Sequence, residues 1–360
     1  MTEASDASWM KRALDAAREG LGSTAPNPSV GAVLVQERRV IGVGTTQPVG
    51  GPHAEVVAIR AALKAGENTT GSTLYVTLEP CRHFGRTPPC TDAIVAAGIG
   101  RVVVGTEDPF PEMQGKSFEI LRAAGIDVTV GVDRSACERM ILGFSRAVKE
   151  GFPEVTCKAA ISLDGHIATA AGESKWITGE LARAHGRALR SEHDAILVGI
   201  GTLLADNPRL TARGEGPEPV PVILDSQLRI PSDAAVFSHP RRPILVCAEF
   251  APERELPADI LRVPGERVDI DDALRALVSR GLHRVLVEGG GQVHRSLLER
   301  DRVDTLALYV AGIVVPGGRP WVSGEPLAQL GDARRWGRPE ILPLGDDVLL
   351  QYTKLSAKEA

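Results

Sequence analysis

His53-Ala54-Glu55, then a helix-length gap to Glu79-Pro80-Cys81, then Pro88-Pro89-Cys90: this stretch decides how the chain is read. It offers one imidazole and two thiols, the ligand set of a catalytic zinc whose fourth position stays open for water. Glu55 cannot be a fourth ligand without blocking that position, so its carboxylate reads as a proton carrier. Residues two apart on an ideal helix point about 200° apart. His53 and Glu55 therefore share a site only if His53 stands at the helix entry, which Pro52 directly before it permits. Cys90 in turn follows Pro88-Pro89 and opens the helix beginning Thr91-Asp92-Ala93. Unpaired N–H groups and the helix dipole stabilise a thiolate there. A structural zinc would show four Cys/His ligands in paired knuckles, and His83 is the only spare donor nearby.

Outward from this segment, the bulk properties narrow the class. With 360 residues the chain is too long for one ordinary core, so two domains are expected. It is 43% hydrophobic and 24% charged, the balance of a globular protein. A net charge of -5 gives no electrostatic footprint for nucleic acid, so a small-molecule substrate is expected and no nucleic-acid partner. No apolar run approaches the roughly 20 residues of a membrane span. The acidic start lacks a signal peptide's basic and apolar regions. Five cysteines argue against a disulfide framework and for a cytoplasmic protein.

Periodicity places the flanking elements. Trp9, Ala13, Leu14 and Ala17 are at helical spacing, stopped by Gly20 and Gly22. Residues 24–28 form a rigid turn into a strand at 30–35, with a hairpin at Arg38-Arg39 and a return strand at 40–43. The helix after Pro52 is expected to present Val56, Ile59 and Leu63 on one face. A strand at 74–78, a helix at 90–97, a strand at 102–105, a helix at 116–124, a strand at 126–130 and a single helix at 135–149 follow. Alternation of this kind means an α/β layered sheet. Gly151-Phe152-Pro153 marks the boundary, giving domains 1–150 and 151–360. In the second, strands are expected at 155–161, 195–198, 220–224, 244–247, 285–288, 305–310 and 349–354, with a helix at 180–190. Val285-Leu286-Val287-Glu288-Gly289-Gly290-Gly291 runs from strand through glycines into a helix, which fits either a phosphate-binding helix start or a tight turn. Arg190 and Arg213 suit either a fork onto a phosphate or a solvated surface position. Trp176 suits either an aromatic cofactor face or the core, and Lys158 is a candidate for proton delivery. Asn27, His83 and Arg86 stand in the loops of the first half as candidates for substrate contact. Cys137, Cys157 and Cys247 read as core.

The order H-x-E…P-C…C is a zinc-deaminase signature with one departure: eight residues, Arg82 to Pro89, separate the cysteines where two are usual. Residues 24–30 (TAPNPSV), Pro52-His53-Ala54-Glu55 and residues 76–90 (VTLEPCRHFGRTPPC) resemble the deaminase half of the bifunctional deaminase/reductase family of riboflavin biosynthesis. The long loop between the cysteines is that family's own form. Ser162-Leu163-Asp164-Gly165, residues 172–178 (GESKWIT), residues 202–211 (TLLADNPRLT) and Val287-Glu288-Gly289-Gly290 resemble its reductase half.

The resemblance implies a cytidine-deaminase-like layered domain followed by a dihydrofolate-reductase-like one, with zinc and NADPH as cofactors and a homo-oligomeric assembly. It implies hydrolytic loss of the 2-amino group from 2,5-diamino-6-(5-phosphoribosylamino)pyrimidin-4-one, then reduction of the ribosyl group to ribityl. His53, Cys81 and Cys90 fall at its metal positions and Glu55 at its catalytic one. Ala160, Trp176, Thr202, Asp206, Ser226 and the run Gly290, Gly291, Gln292, Val293, His294, Arg295 and Ser296 fall at cofactor positions. Ser174, Arg190, Leu210, Arg213 and Glu288 fall at substrate positions. Two other readings compete: a deaminase of a free base or nucleoside with a degenerate second domain, and a zinc-stabilised binding protein in which Glu55 is dispensable.

Overall fold

Small residues set the packing of the first half. A Cβ at Gly31 would lie 1.9 Å from the carbonyl oxygen of Ala13, and one at Gly44 would lie 2.1 Å from that of Ala54. Helix backbones therefore lie directly on the sheet, and only glycine and alanine fit the contact. The structure, a computed structural model, describes residues 5–84, 88–214, 216–325 and 327–355. It divides into two units, Met1–Gly151 and Phe152–Ala360.

The first unit runs α1 (Asp6–Glu19), β1 (Gly31–Gln36), β2 (Arg39–Thr45), α2 (Ala54–Lys64), β3 (Thr73–Leu78), α3 (Cys90–Ala96), β4 (Arg101–Thr106), α4 (Lys116–Ala123), β5 (Asp127–Val130), α5 (Arg134–Met140) and α6 (Leu142–Glu150). Its five strands are ordered β2-β1-β3-β4-β5. Met10, Ala13 and Leu14 of α1 and Cys137 of α5 cover one face, against Val33, Val35, Tyr75 and Val103. Helices α2, α3 and α4 cover the other through Ala58, Ile94 and Leu121. Strand β1 lies antiparallel to both β2 and β3, so the C-terminal ends of β2 and β3 share one edge of the sheet. That edge receives the residues of the zinc motif.

Two expectations are corrected here. The inner face of α2 is Ala54, Ala58, Ile59 and Ala62, while Leu63 is 56% exposed and Val56 half-buried. The larger residues are excluded because Gly42 and Gly44 bring β2 against the helix backbone. The single helix expected at 135–149 is broken at Ile141 (φ -102°, ψ 15°), whose side chain is buried. Cys137, Cys157 and Cys247 are buried, without disulfides.

The second unit contains β6 (Glu154–Ser162), β7 (His166–Ala168), α7 (Glu180–Ser191), β8 (Ala195–Gly199), α8 (Ile200–Asp206), β9 (Val220–Leu224), β10 (Ile244–Ala248), β11 (Asp259–Val263), α9 (Ile270–Ser279), β12 (Arg284–Val287), α10 (Gly291–Glu299), β13 (Thr305–Ala311), β14 (Arg319–Pro320), β15 (Glu340–Leu344) and β16 (Asp347–Thr353). Nine strands are ordered β11-β10-β9-β8-β12-β6-β13-β16-β15, and β7 pairs with β14 apart from them. Neighbours from β11 to β13 are parallel; β16 and β15 close the sheet antiparallel. After β6 the chain builds outward through β8 to β11 and then returns to insert β12 between β8 and β6. That reversal opens a crevice at the strands' C-terminal ends, where such sheets bind ligands. Helices α9 and α10 cover one face through Leu274, Leu277 and Leu297. On the other lie Leu203, Leu210, Leu228 and Ile230, with Ala182 of α7 packed on Tyr309 nearby.

Gly31→Ala tests the close approach. The added methyl meets helix backbone, so it is expected to destabilise the chain by about 2–3 kcal/mol, measured by urea denaturation. A change below about 0.5 kcal/mol would show that α1 moves aside freely.

Candidate functional site

His53 occupies the N-cap of α2 with extended backbone (φ -74°, ψ 164°), and Glu55 follows in the first helical turn. Glu79 and Cys81 lie just past the end of β3, and Cys90 is the first residue of α3. Strand ends and helix starts thus converge on one spot. The ligand atoms of His53, Cys81 and Cys90 all lie within 4.8 Å of one another. His53 Nδ1 is 3.4 Å from each of the two sulfurs. On a tetrahedral zinc with Zn–S about 2.3 Å and Zn–N about 2.0 Å, nitrogen and sulfur are about 3.5 Å apart. The donor set fits that ion in identity and spacing.

By themselves the two sulfurs share one charge, which Cys81 carries while the Cys90 thiol is pushed up by the neighbouring sulfur and by burial. The Cys90 N–H donates to Cys81 Sγ at 3.3 Å. Hydrogen bonds from Cys90 and His53 hold the Cys81 thiol well below its ordinary range. Glu55 is 3% exposed. Burial, and secondarily the Cys81 sulfur, pushes its carboxyl up to about 7, within the working range of a general acid–base.

Glu79 was read in sequence only as part of the cysteine motif. Its buried carboxylate accepts from the N–H groups of Asp108, Gly115 and Ser117 and from the Ser117 hydroxyl, at 3.1, 2.8, 3.2 and 2.8 Å. It moors the segment between β4 and α4 beside the ligand loop. Asn27 is half-buried in the turn before β1, and His83 is exposed beyond Cys81. Arg86 lies outside the described residues.

In the second unit, Glu288 directly follows β12, and its N–H donates to the Leu197 carbonyl at 3.0 Å. Arg190 of α7 grips its carboxylate with two bonds, Nε to Oε1 at 2.9 Å and Nη2 to Oε2 at 2.8 Å, and Nη1 donates to the Thr211 carbonyl at 2.7 Å. The Arg190 fork, read in sequence as open for a phosphate, is thus engaged by protein groups. Lys158 of β6 stands 4.0 Å from Glu288 Oε2 and 5.4 Å from the centre of the Tyr309 ring. The Tyr309 hydroxyl lies 2.8 Å from His185 Nδ1. Burial would raise the Glu288 carboxyl, yet the Arg190 and Lys158 charges hold it at about 2.

The glycines after Glu288 sit in tight surroundings. A Cβ at Gly289 would meet Val293 at 2.9 Å, one at Gly290 Thr202 Oγ1 at 3.5 Å, and one at Gly291 Ser323 Oγ at 2.4 Å. Thr202 therefore lies beside Gly290, and Val293 beside Gly289 and Gly199 at the end of β8. Ala160 lies two residues beyond Lys158 on the same face of β6. His294 is buried, its Nδ1–H donating to the Trp321 carbonyl at 3.0 Å. Arg295 pairs outward with Glu299 at 2.6 Å, and the Ser296 hydroxyl bonds back to the Gln292 carbonyl at 3.1 Å. Ser226 follows β9 and accepts the Val268 N–H at 3.0 Å. Ser174 Oγ lies 3.5 Å from Asp206 Oδ1. Trp176 is 66% exposed, with the Arg183 guanidinium 4.6 Å from its ring centre, so it is not core. The Leu210 side chain is buried in the apolar cluster, whereas Arg213 is exposed with no ion-pair partner among the described residues.

Comparison with known proteins places a family match on each unit. Residues 3–106 match the cytidine and deoxycytidylate deaminase zinc-binding region, and residues 153–350 match the RibD C-terminal domain. The class is therefore a zinc-dependent deaminase joined to a reductase. The riboflavin biosynthesis protein RibD of Bacillus amyloliquefaciens is 39% identical over 98% of this chain and 97% of its own length. That of Aquifex aeolicus is 38% identical over 97% and 98%. A crystal structure of a diaminohydroxyphosphoribosylaminopyrimidine deaminase/5-amino-6-(5-phosphoribosylamino)uracil reductase from Thermotoga maritima superposes with a TM-score of 0.89 at 38% identity, covering 97% of this chain and 99% of that one. Acinetobacter baumannii RibD gives 0.88 at 35% identity, covering 98% and 99%. The chain belongs to the RibD family of riboflavin biosynthesis, bifunctional enzymes with a zinc-binding deaminase domain and an NADPH-dependent reductase domain.

Removing one partner of the buried Arg190–Glu288 pair leaves an uncompensated charge. Glu288→Gln is expected to cost about 3–5 kcal/mol at neutral pH by urea titration. The Glu288 carboxyl falls from 4.5 to about 2 on folding, so the wild-type advantage is full above 4.5 and fades as pH drops through 2. A difference that stays constant over that window would overturn the assignment.

Proposed function

We propose that the chain catalyses two consecutive steps: hydrolytic deamination of 2,5-diamino-6-(5-phosphoribosylamino)pyrimidin-4-one, then NADPH reduction of the product's ribosyl group, giving 5-amino-6-(5-phosphoribitylamino)uracil. The observation that carries this reading is a buried Glu55 two residues from His53, with two cysteine sulfurs 3.4 Å from that imidazole. In this reading residues 1–150 carry the deamination and residues 151–360 the reduction.

His53, Cys81 and Cys90 hold the zinc, which when bound supplies the Lewis acidity that makes water nucleophilic at neutral pH. Glu55 takes a proton from the attacking water on a carboxylate oxygen and passes it to the departing amine. Its burial keeps both protonation states within reach near neutrality. Asn27 and His83 flank the substrate ring. In the second unit Thr202, Gly290, Gly291 and Val293 shape the entry for the dinucleotide, and NADPH supplies the reducing equivalent. Ala160, Trp176, Asp206, Ser226, Gln292, His294, Arg295 and Ser296 complete the cofactor set. Glu288 fixes Arg190 and Lys158 beside the ribosyl group, and Lys158 Nζ delivers the proton. Ser174, Leu210 and Arg213 frame the rest of the substrate, with Arg213 bearing the unpaired cation that a phosphate needs.

The net charge of -5 supports small phosphoribosyl-pyrimidine substrates over nucleic acid. Five free cysteines support a cytoplasmic location, and no described helix is long and apolar enough to cross a membrane. Edge strand β15, with Ile341 64% exposed, supports a homo-oligomer.

Glu55→Gln decides between this reading and a zinc-stabilised binding protein. Ammonia release is expected to fall about 10²–10⁴-fold. Zinc content by atomic absorption and NADPH oxidation on the deaminated substrate are expected to stay at wild-type levels. Undiminished ammonia release would sink the assignment of Glu55. Deamination without NADPH binding would favour a free-base or nucleoside deaminase.

A further inference from the structure

The turn that carries Leu210 and Arg213 has a backbone its own residues do not favour. Asn207, Leu210 and Arg213 have φ of 42°, 61° and 58°, in the left-handed region that side chains other than those of asparagine and aspartate seldom occupy. Neighbouring groups must hold it. On one side Arg190 Nη1 donates to the Thr211 carbonyl at 2.7 Å. On the other, the Ala212 N–H donates to Glu218 Oε2 at 2.7 Å. That same oxygen faces His239 Nε2 at 3.4 Å, and the His239 side chain is fully buried. His239 Nδ1 faces both the Arg241 N–H at 2.9 Å and the Arg241 carbonyl at 3.1 Å, and Nε2 makes no hydrogen bond among the described residues. Burial lowers the imidazole and so favours its neutral form.

We infer that Glu218, confined by the buried His239 ring beside it, is a positioning residue for the reductase substrate: it fixes Ala212 and so sets the direction in which the next residue, Arg213, leaves the turn toward an anionic phosphate group. The inference rests on the proposed reductase activity. It adds two residues outside the sequence motifs, neither of which touches the reacting atoms. Both clamps act on one planar peptide unit, Arg190 on the Thr211 carbonyl and Glu218 on the Ala212 N–H at its opposite edge, so with either removed the plane can still turn about the remaining bond and redirect Arg213.

The test uses the full chain with zinc and NADPH and compares Glu218→Ala with Glu218→Gln. Glutamine keeps an oxygen able to accept from the Ala212 N–H and fills the space beside His239; alanine does neither. Hydrogen–deuterium exchange of residues 207–214 needs no substrate. It should be faster in E218A and unchanged in E218Q. Reduction of 5-amino-6-(5-phosphoribosylamino)uracil should show KM raised about tenfold in E218A with kcat within about twofold. In E218Q both constants should stay within about twofold of wild type. Ammonia release by the first unit reports that each variant is folded. The inference is overturned if E218A matches wild type in exchange and KM, or if both variants lose kcat alike. A wild-type chain that reduces nothing would refute the functional reading, yet unchanged exchange in E218A would still refute the clamp.

Discussion

A parallel strand must be followed by a connection that returns over the sheet, so each strand's C-terminal end comes to face the beginning of a helix. Everything that does chemistry in this chain depends on that constraint. In the first unit β2 leads to His53 at the start of α2, and β3 leads through Cys81 to Cys90 at the start of α3. In the second, β8 leads into α8 and β12 into α10 through Glu288 and the glycines. Unpaired N–H groups and the positive ends of helix dipoles gather where thiolates or phosphates are to be held. In the proposed function the same architectural rule serves a metal in one half and a dinucleotide in the other, although the halves share no motif.

How much was legible in the sequence follows from how local each determinant is. His53, Cys81 and Cys90 sit within one segment, and Pro52 and Pro89 announce the helix starts, so the convergence of the three donors could be read. Strands such as β9 and β13 are continuous apolar runs and were equally plain. The inner face of α2 was misread because it depends on Gly42 and Gly44, residues of a different strand whose missing side chains invert the usual preference for large apolar residues. Helix α9 does carry a signal, Asp269 as N-cap before Ile270, Ala273, Leu274 and Leu277, but it passed unread between half-exposed β11 and β12. Glu218, His239 and Tyr309 could not be read, since they meet their partners only through long-range folding.

The second unit shows how a buried ion pair can limit as well as support a site. Arg190, taken alone, is a phosphate fork; in the structure its fork closes on Glu288 and the Thr211 carbonyl. Two cations around one carboxylate leave a net positive charge at the crevice while holding each side chain in a single rotamer. Such preorganisation removes the cost of ordering long side chains at the moment a ligand arrives. Arg213, exposed in the turn that Arg190 braces, is then the guanidinium that the proposed function assigns to the ligand.

The direct seating of α1 and α2 on the sheet has a consequence for how this chain tolerates drift. A glycine facing a helix carbonyl at 1.9 or 2.1 Å from a would-be methyl cannot change unless the helix shifts, and a shift of α2 would carry His53 and Glu55 with it. Gly42, Gly44, Ala54 and Ala58 are therefore locked as a group. Invariance at those four positions among descendants of this sequence would record mechanical fit, and it should not be mistaken for a trace of catalysis.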